Sequence, residues 1–211
     1  MFRVIAQPEP SKFDELVRKP GLRFLADCPQ PTQKQWNSRS YWRRILSVLH
    51  DTYSGICGYS CHWIPFDTGA DTVEHFKPKT QFPNDAYEWS NYRLVCQLLN
   101  SRKGSKQILD PFKIKDGWFI IEFPSLLVKP APNLKKAKFE KVKNTRDVLG
   151  LNDEATCMRQ RHKYVLDYCN GEINFAHLVR NAPFLAKQMQ GKGYDSLEAI
   201  RKIMNVTNPN L

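Results

Sequence analysis

At 211 residues the chain has room for one domain, or for a compact core with a helical extension. Its 41% hydrophobic and 12% aromatic content suffices for a packed interior and excludes a disordered chain, and no apolar run approaches the roughly 20 residues that cross a bilayer. A formal charge of +11 favours a polyanionic partner, nucleic acid before membrane, although a well-solvated basic surface gives the same number.

The opening residues, Met1 to Pro8, hold too short an apolar patch for a secretion signal, so a cytoplasmic location is expected. Cys28, Cys57, Cys61, Cys96, Cys157 and Cys169 are then free thiols or metal ligands rather than disulfides. Residues 1 to 11 read as extended, because Pro8 and Pro10 stop a helix. Ser11, with Asp14 at the capping-box offset, opens a short helix that should end near Pro20-Gly21. A linker over Cys28 to Thr32 precedes one helix from Trp36 to Tyr53, whose buried stripe is Trp42, Ile45, Leu46 and Leu49.

Ser54 to Trp63 is turn-like and carries cysteines. Val73 to Phe76 reads as a strand, Tyr92 to Val95 as a second, and a helix starts near Gln97 to Asn100. Trp118 to Phe123 is taken as a strand supporting that core, and Pro124 to Pro132 as a connector. The remainder is helical: Lys138 to Leu149 stopping at Gly150, a helix capped by Asn152 and running to Asn170-Gly171, then segments broken at Asn181-Ala182-Pro183 and Gly191-Lys192-Gly193. A last helix begins at Asp195 or Ser196 and runs through Ile203.

The chemistry concentrates in Thr72-Val73-Glu74-His75-Phe76-Lys77-Pro78-Lys79, read with Asn91 and Asn100. A hard oxygen ligand beside a base that titrates near neutrality, followed by cations, suits metal-assisted phosphodiester cleavage. By residue type alone Asn91 also suits a turn cap, Asn100 a helix cap, and Arg102, Lys103 and Lys106 a solvated face.

The words Val-Glu-His-Phe-Lys-Pro-Lys, Trp-Ser-Asn-Tyr-Arg-Leu-Val-Cys and Leu-Asn-Ser-Arg-Lys-Gly resemble the HNH endonucleases, a branch of the ββα-metal nucleases. They are most similar to the HNH subunit of Septu-type anti-phage systems, including those attached to retrons. Trp42 to Cys57 and the stretch Thr145 to Asn152 extend the resemblance over most of residues 36 to 165. It implies His75 as general base, Glu74 and Asn100 as ligands of one Mg²⁺ or Mn²⁺, and Asn91 orienting His75 or bracing the loop between the strands. Arg102, Lys103 and Lys106 would grip substrate phosphates. The substrate implied is DNA by default, with structured RNA such as tRNA second. The implied partners are an ABC- or SMC-type ATPase and, in retron systems, a reverse transcriptase with its DNA–RNA hybrid.

Relatives of this branch carry zinc in two Cys-Xaa-Xaa-Cys knuckles, but here the second cysteines are Ser60 and Leu99. Structural zinc is therefore not expected, the residual candidates being Cys57, Cys61 or His62, and Cys96. The missing ligands sustain a rival reading, a catalytically degenerate nucleic-acid-binding or scaffolding subunit. The fold expected is α+β and mostly helical. An N-terminal helical segment (1–53) leads into a ββα-metal (HNH) core with its supporting strand (54–125), then a C-terminal helical region (126–211), together one compact domain.

Overall fold

The structure is a computed structural model that describes residues 1, 3–67 and 70–206. The chain forms two compact units, one of Ile5–Gly58 and Ile64–Lys106, the other of Met1–Val4, Tyr59–Trp63 and Gln107–Leu211. The architecture is α+β and mostly helical, with two small antiparallel sheets among the described residues. No helix among them is long and apolar enough to cross a membrane.

In the first unit a π-helical turn over Asp14–Arg18 runs straight into α1, Lys19–Asp27. The helix therefore passes through Pro20-Gly21 instead of ending there. Pro20 has no N–H to give to the preceding turn, and the run accommodates it where the spacing is π-helical, the Lys19 N–H bonding the Asp14 carbonyl five residues back. Gly21 lets the helix lie flush on the Tyr87 ring, for a Cβ there would sit 2.1 Å from the ring's Cγ.

Thr32 and Gln35 make a reciprocal capping box that starts α2, Gln33–Ser38. The single helix expected over residues 36 to 53 is three pieces: α2, a 3₁₀ turn over Tyr41–Ile45, and α3, Leu46–Thr52. Serines explain the break. Ser38 donates to the Gln35 carbonyl and Ser40 to the Asn37 carbonyl, both at 3.0 Å, and such local bonds compete with a continuing helix. The break leaves Trp36, Trp42, Ile45 and Leu49 buried. An aromatic cluster fills this side of the unit, with Trp36 6.0 Å from Tyr87 and 5.9 Å from Phe24, ring centre to ring centre.

Strand β1, Asp71–His75, pairs antiparallel with β2, Tyr92–Cys96, placing Glu74 opposite Arg93 and His75 opposite Tyr92. Helix α4, Gln97–Lys103, follows β2 without a loop and ends at Gly104, whose φ of +49° suits glycine. The strand–loop–strand–helix order anticipated from the sequence is the order observed.

In the second unit β3, Phe119–Ile121, pairs with β4, Val128–Pro130. The strand expected to support the first sheet thus has a sheet of its own. Strand β4 lies where a connector was expected: Pro130 ends it, at a position where no ladder donation is needed. Helix α5, Lys136–Leu149, stops at Gly150 in the left-handed conformation, as anticipated.

Asn152 does not cap the next helix. Its side chain accepts from the Val128 N–H at 2.8 Å and donates to the Val128 carbonyl at 2.9 Å, acting as an extra strand residue on β4. The helix α6 begins later, at Cys157, and runs to Cys169; from it the buried Arg161 donates to the carbonyls of Leu126 (2.9 Å) and Leu151 (2.8 Å). The last helices fall at the anticipated breaks. They are α7, Phe175–Asn181; α8, Pro183–Gln190, with proline in its first turn; and α9, Leu197–Met204, capped by Ser196.

The tight seat of Gly21 gives a stability test. An exposed helical Gly→Ala change stabilises by up to about 1 kcal/mol, but here the Tyr87 ring must move. Gly21→Ala should lower unfolding stability by about 1–3 kcal/mol in a urea titration, the range for overpacking.

Candidate active site

Where β1 meets α4, one cavity of about 580 Å³ is lined by Trp42, Glu74, His75, Lys79 and Asn100, with Arg43 and Asp71 on its wall. Three residues singled out in the sequence, Glu74, His75 and Asn100, therefore share one space.

The imidazole of His75 is buried and held edge-on to two rings, Trp42 at 4.6 Å and Tyr92 at 5.2 Å. Its Nε2 lies 2.9 Å from the Ala86 carbonyl oxygen. That oxygen can only accept, so Nε2 carries the proton and the lone pair sits on Nδ1. Burial, then the nearby Lys79 ammonium, hold the pKa of His75 down at about 3, so the ring is neutral at physiological pH.

Glu74 experiences the opposite push. Burial raises its carboxyl pKa to about 7 against the pull of Lys103 first, then Lys79 and Arg93. Oε1 is ion-paired with the Lys103 ammonium, which also donates to the carbonyls of His75 (3.1 Å) and Gly104 (3.2 Å). Phe76 is flanked by two cations, the Arg93 guanidinium 5.1 Å and the Lys103 ammonium 5.8 Å from its ring centre.

Asn100 is oriented by a short relay. Thr72 Oγ1 donates to the Val95 carbonyl at 2.7 Å, so it must accept from Asn100 Nδ2 at 2.9 Å. The amide nitrogen faces Thr72, and Oδ1 is left as the atom available to a ligand. Glu74 Oε2 and Asn100 Oδ1 are both hard oxygen donors. Such a sparse set fits Mg²⁺ or Mn²⁺, ions that keep several waters and take substrate phosphate oxygens as further ligands.

Asn91 stands outside the cavity lining and braces the loop. Its Oδ1 accepts from the Lys77 N–H at 2.7 Å, and its Nδ2 donates to the carbonyls of Lys77 and Asp85, both at 3.0 Å. It makes no hydrogen bond to the imidazole; Ala86 does that.

The basic run needs correction. Lys103 was expected to face substrate, but it is 1% exposed, because the helical phase of α4 turns it inward onto Glu74. Arg102 and Lys106 do not line the cavity, and Lys106 Nζ donates to the Arg102 carbonyl at 3.1 Å.

Of the residual zinc candidates, Cys57 and Cys96 lie in one compact unit, Cys61 and His62 in the other. Cys57 Sγ accepts from the Cys96 N–H at 3.4 Å, so those two remain neighbours. Leu99 is fully buried. Cys61 belongs to the other compact unit, where His62 lies edge-on to Tyr164 at 5.7 Å. Among the described residues no group of three or more His, Cys, Asp or Glu side chains is gathered to hold a metal ion.

Two cavity residues escaped the sequence reading as site residues, Lys79 and Trp42. Trp42 was legible only as core. The signal for Lys79 was Pro78, which turns the chain at the exit of β1 and sends the following residue back to the cavity wall.

No protein-family model matches the chain. It is similar to the Septu protein PtuB of Bacillus thuringiensis, 29% identical over 123 residues that make up 55% of this chain and 45% of that protein. The likeness supports a Septu-like protein. The chain spans less than half the length of this relative.

The buried imidazole leaves a pH signature on folding. A His whose folded pKa is lowered from 6.5 to about 3 stabilises the fold fully above 6.5, and that contribution is lost as pH falls toward 3. His75→Asn cannot titrate there. The wild-type-minus-variant difference in unfolding free energy should therefore shrink by about 1.4 kcal/mol for each pH unit below 6.5, measured by urea unfolding from pH 7 to pH 5.

Proposed function

We propose that this chain is a metal-dependent endonuclease of the HNH type, the effector subunit of a Septu-like anti-phage system. One observation carries the reading. A neutral imidazole with its lone pair on Nδ1 shares a cavity with one carboxylate and one oriented amide oxygen. The similarity to PtuB supports the defence setting. A complex with an ABC- or SMC-type ATPase is part of the proposal, as is DNA as the default substrate with structured RNA second.

The reaction proposed is hydrolysis of a phosphodiester. His75 Nδ1 takes a proton from water as the water oxygen bonds to phosphorus; the bond to the 3′ oxygen breaks, and that oxygen leaves with a proton from solvent. Mg²⁺ or Mn²⁺, held by Glu74 and Asn100, supplies positive charge at the phosphoryl oxygens when bound.

A base with a pKa near 3 is weak, and the causes of its weakness say how it is strengthened. After burial, Lys79 and Lys103 lower it. An anionic phosphate in the cavity offsets both cations and raises the proton affinity of Nδ1 when substrate is present. The Ala86 carbonyl favours the imidazolium that forms, since it accepts from Nε2–H. Asn91 keeps the loop that carries Ala86 closed.

The rival is a binding subunit without chemistry, and the pairing of Glu74 with Lys103 is what favours it, since one ligand oxygen is already engaged. Nicking of supercoiled plasmid and cleavage of tRNA, each with Mg²⁺ or Mn²⁺, decide between them. Wild type should cut at least one substrate, chelator should stop it, and His75→Ala should be slower by about 10²–10⁴-fold, the usual worth of a general base. Equal products from wild type and His75→Ala would establish the rival.

A further inference from the structure

Two lysines lie beside the Glu74–His75 pair, and their surroundings differ. Lys103 is buried, with the Glu74 carboxylate and two backbone carbonyls satisfying its ammonium. Three donor protons meet three acceptors, so nothing remains for a substrate. Lys79 lines the cavity and is half-buried. Among the described residues no hydrogen bond or ion pair engages its ammonium, whose one ring contact is the Trp42 face at 5.4 Å.

A half-buried ammonium that no protein acceptor engages is open to an anion, because partial burial weakens its hydration. The direction of its pKa agrees: burial lowers it, and Glu74 only partly restores it. Arg43 lies on the same cavity wall, exposed, with its guanidinium outside every ion pair among the described residues. An anion that enters between these cations and the neutral His75 supplies the missing acceptors.

We infer that Lys79, assisted by Arg43, is the phosphate-binding element of this cavity and contacts the phosphate presented to His75, in place of the Arg102–Lys106 run. The inference deepens the nuclease reading and rests on it for the identity of the anion, a nucleic-acid backbone phosphate. Lys79 is then a catalytic residue in the strict sense, since it touches the reacting group. A point charge binds phosphate without reading sequence, so the contact sets affinity and position at the scissile bond, and leaves base preference to other parts of the chain.

The test uses the full chain and a readout that a structural role does not move. In a His75→Ala background without added metal, where cleavage is too slow to interfere, binding of a fluorescent DNA duplex is measured against salt concentration. Each phosphate contact contributes about 0.9 to the slope of log affinity against log salt. Adding Lys79→Ala should reduce that slope by about one contact. Lys79→Arg, which keeps the charge, should retain it, and thermal melting should show all three variants folded. Arg43→Ala should give a second, separate reduction.

In the otherwise wild-type enzyme Lys79→Ala should lower kcat/KM by about tenfold or more, with Lys79→Arg recovering most of it. An unchanged slope in His75→Ala/Lys79→Ala overturns the inference, and so does the absence of any duplex binding at low salt. Should the wild type cleave nothing while the Lys79-dependent slope persists, the nuclease reading fails and the phosphate site stands. Should cleavage proceed with the slope and kcat/KM indifferent to Lys79, the nuclease reading stands and this inference falls.

Discussion

The site depends on one buried contact, the ion pair of Lys103 with Glu74. Lys103 occupies the last turn of α4, just before Gly104 ends the helix, and its ammonium also grips the His75 carbonyl at the end of β1. Helix end and strand end are thus tied at both a side chain and the backbone. Asn100 lies three residues before Lys103, on the same side of the helix. Fixing Lys103 on Glu74 therefore turns Asn100 toward Thr72 on β1, where the amide hydrogen bond is found. The antiparallel register then sets the rest, because His75 opposite Tyr92 places the imidazole against that ring.

Around this tie the site is arranged before any ligand arrives. Burial pushes His75 and Glu74 in opposite directions, keeping the first neutral and opposing ionisation of the second. The cations set against Glu74 oppose that push and favour its anionic form, without cancelling it. Aromatic edges from Trp42 and Tyr92 fix the imidazole plane, and the Ala86 carbonyl fixes the tautomer. Each device removes a degree of freedom from a cavity side chain, which on the proposed reading spares the site reorganisation during reaction.

The sequence made the ββα order and the cluster of Glu74, His75 and Asn100 legible, since both are local: a β-branched run, a turn-rich insert and a helix start, at short spacing. What it hid was set by tertiary partners. Pro20-Gly21 looks like a helix stop, and only the preceding π turn and the Tyr87 ring reveal why the helix continues. Asn152 looks like a helix cap, and only the position of Val128 shows it completing a strand edge. The short β4 was concealed by its prolines. Among the cations, Arg102, Lys103 and Lys106 read as one run, yet helical phase sends Lys103 inward while Lys106 stays outside. Composition counts charges and does not say which of them remain without an acceptor after folding.

That distinction bears on why a carboxylate sits in this core at all. Taking an ion pair out of water costs about as much as the pair returns, and well-packed apolar residues of the same volume often serve stability equally well. Losing one partner is different, at about 3–5 kcal/mol, since the other charge is left buried and alone. A pair like Glu74–Lys103 therefore constrains the fold strongly without adding much to its net stability. On the proposed nuclease reading its explanation is an oxygen held immobile beside His75. Burial of apolar area accounts for Leu99 and Val95, both fully buried in the same unit; for Glu74 the proposed metal-binding role supplies the reason.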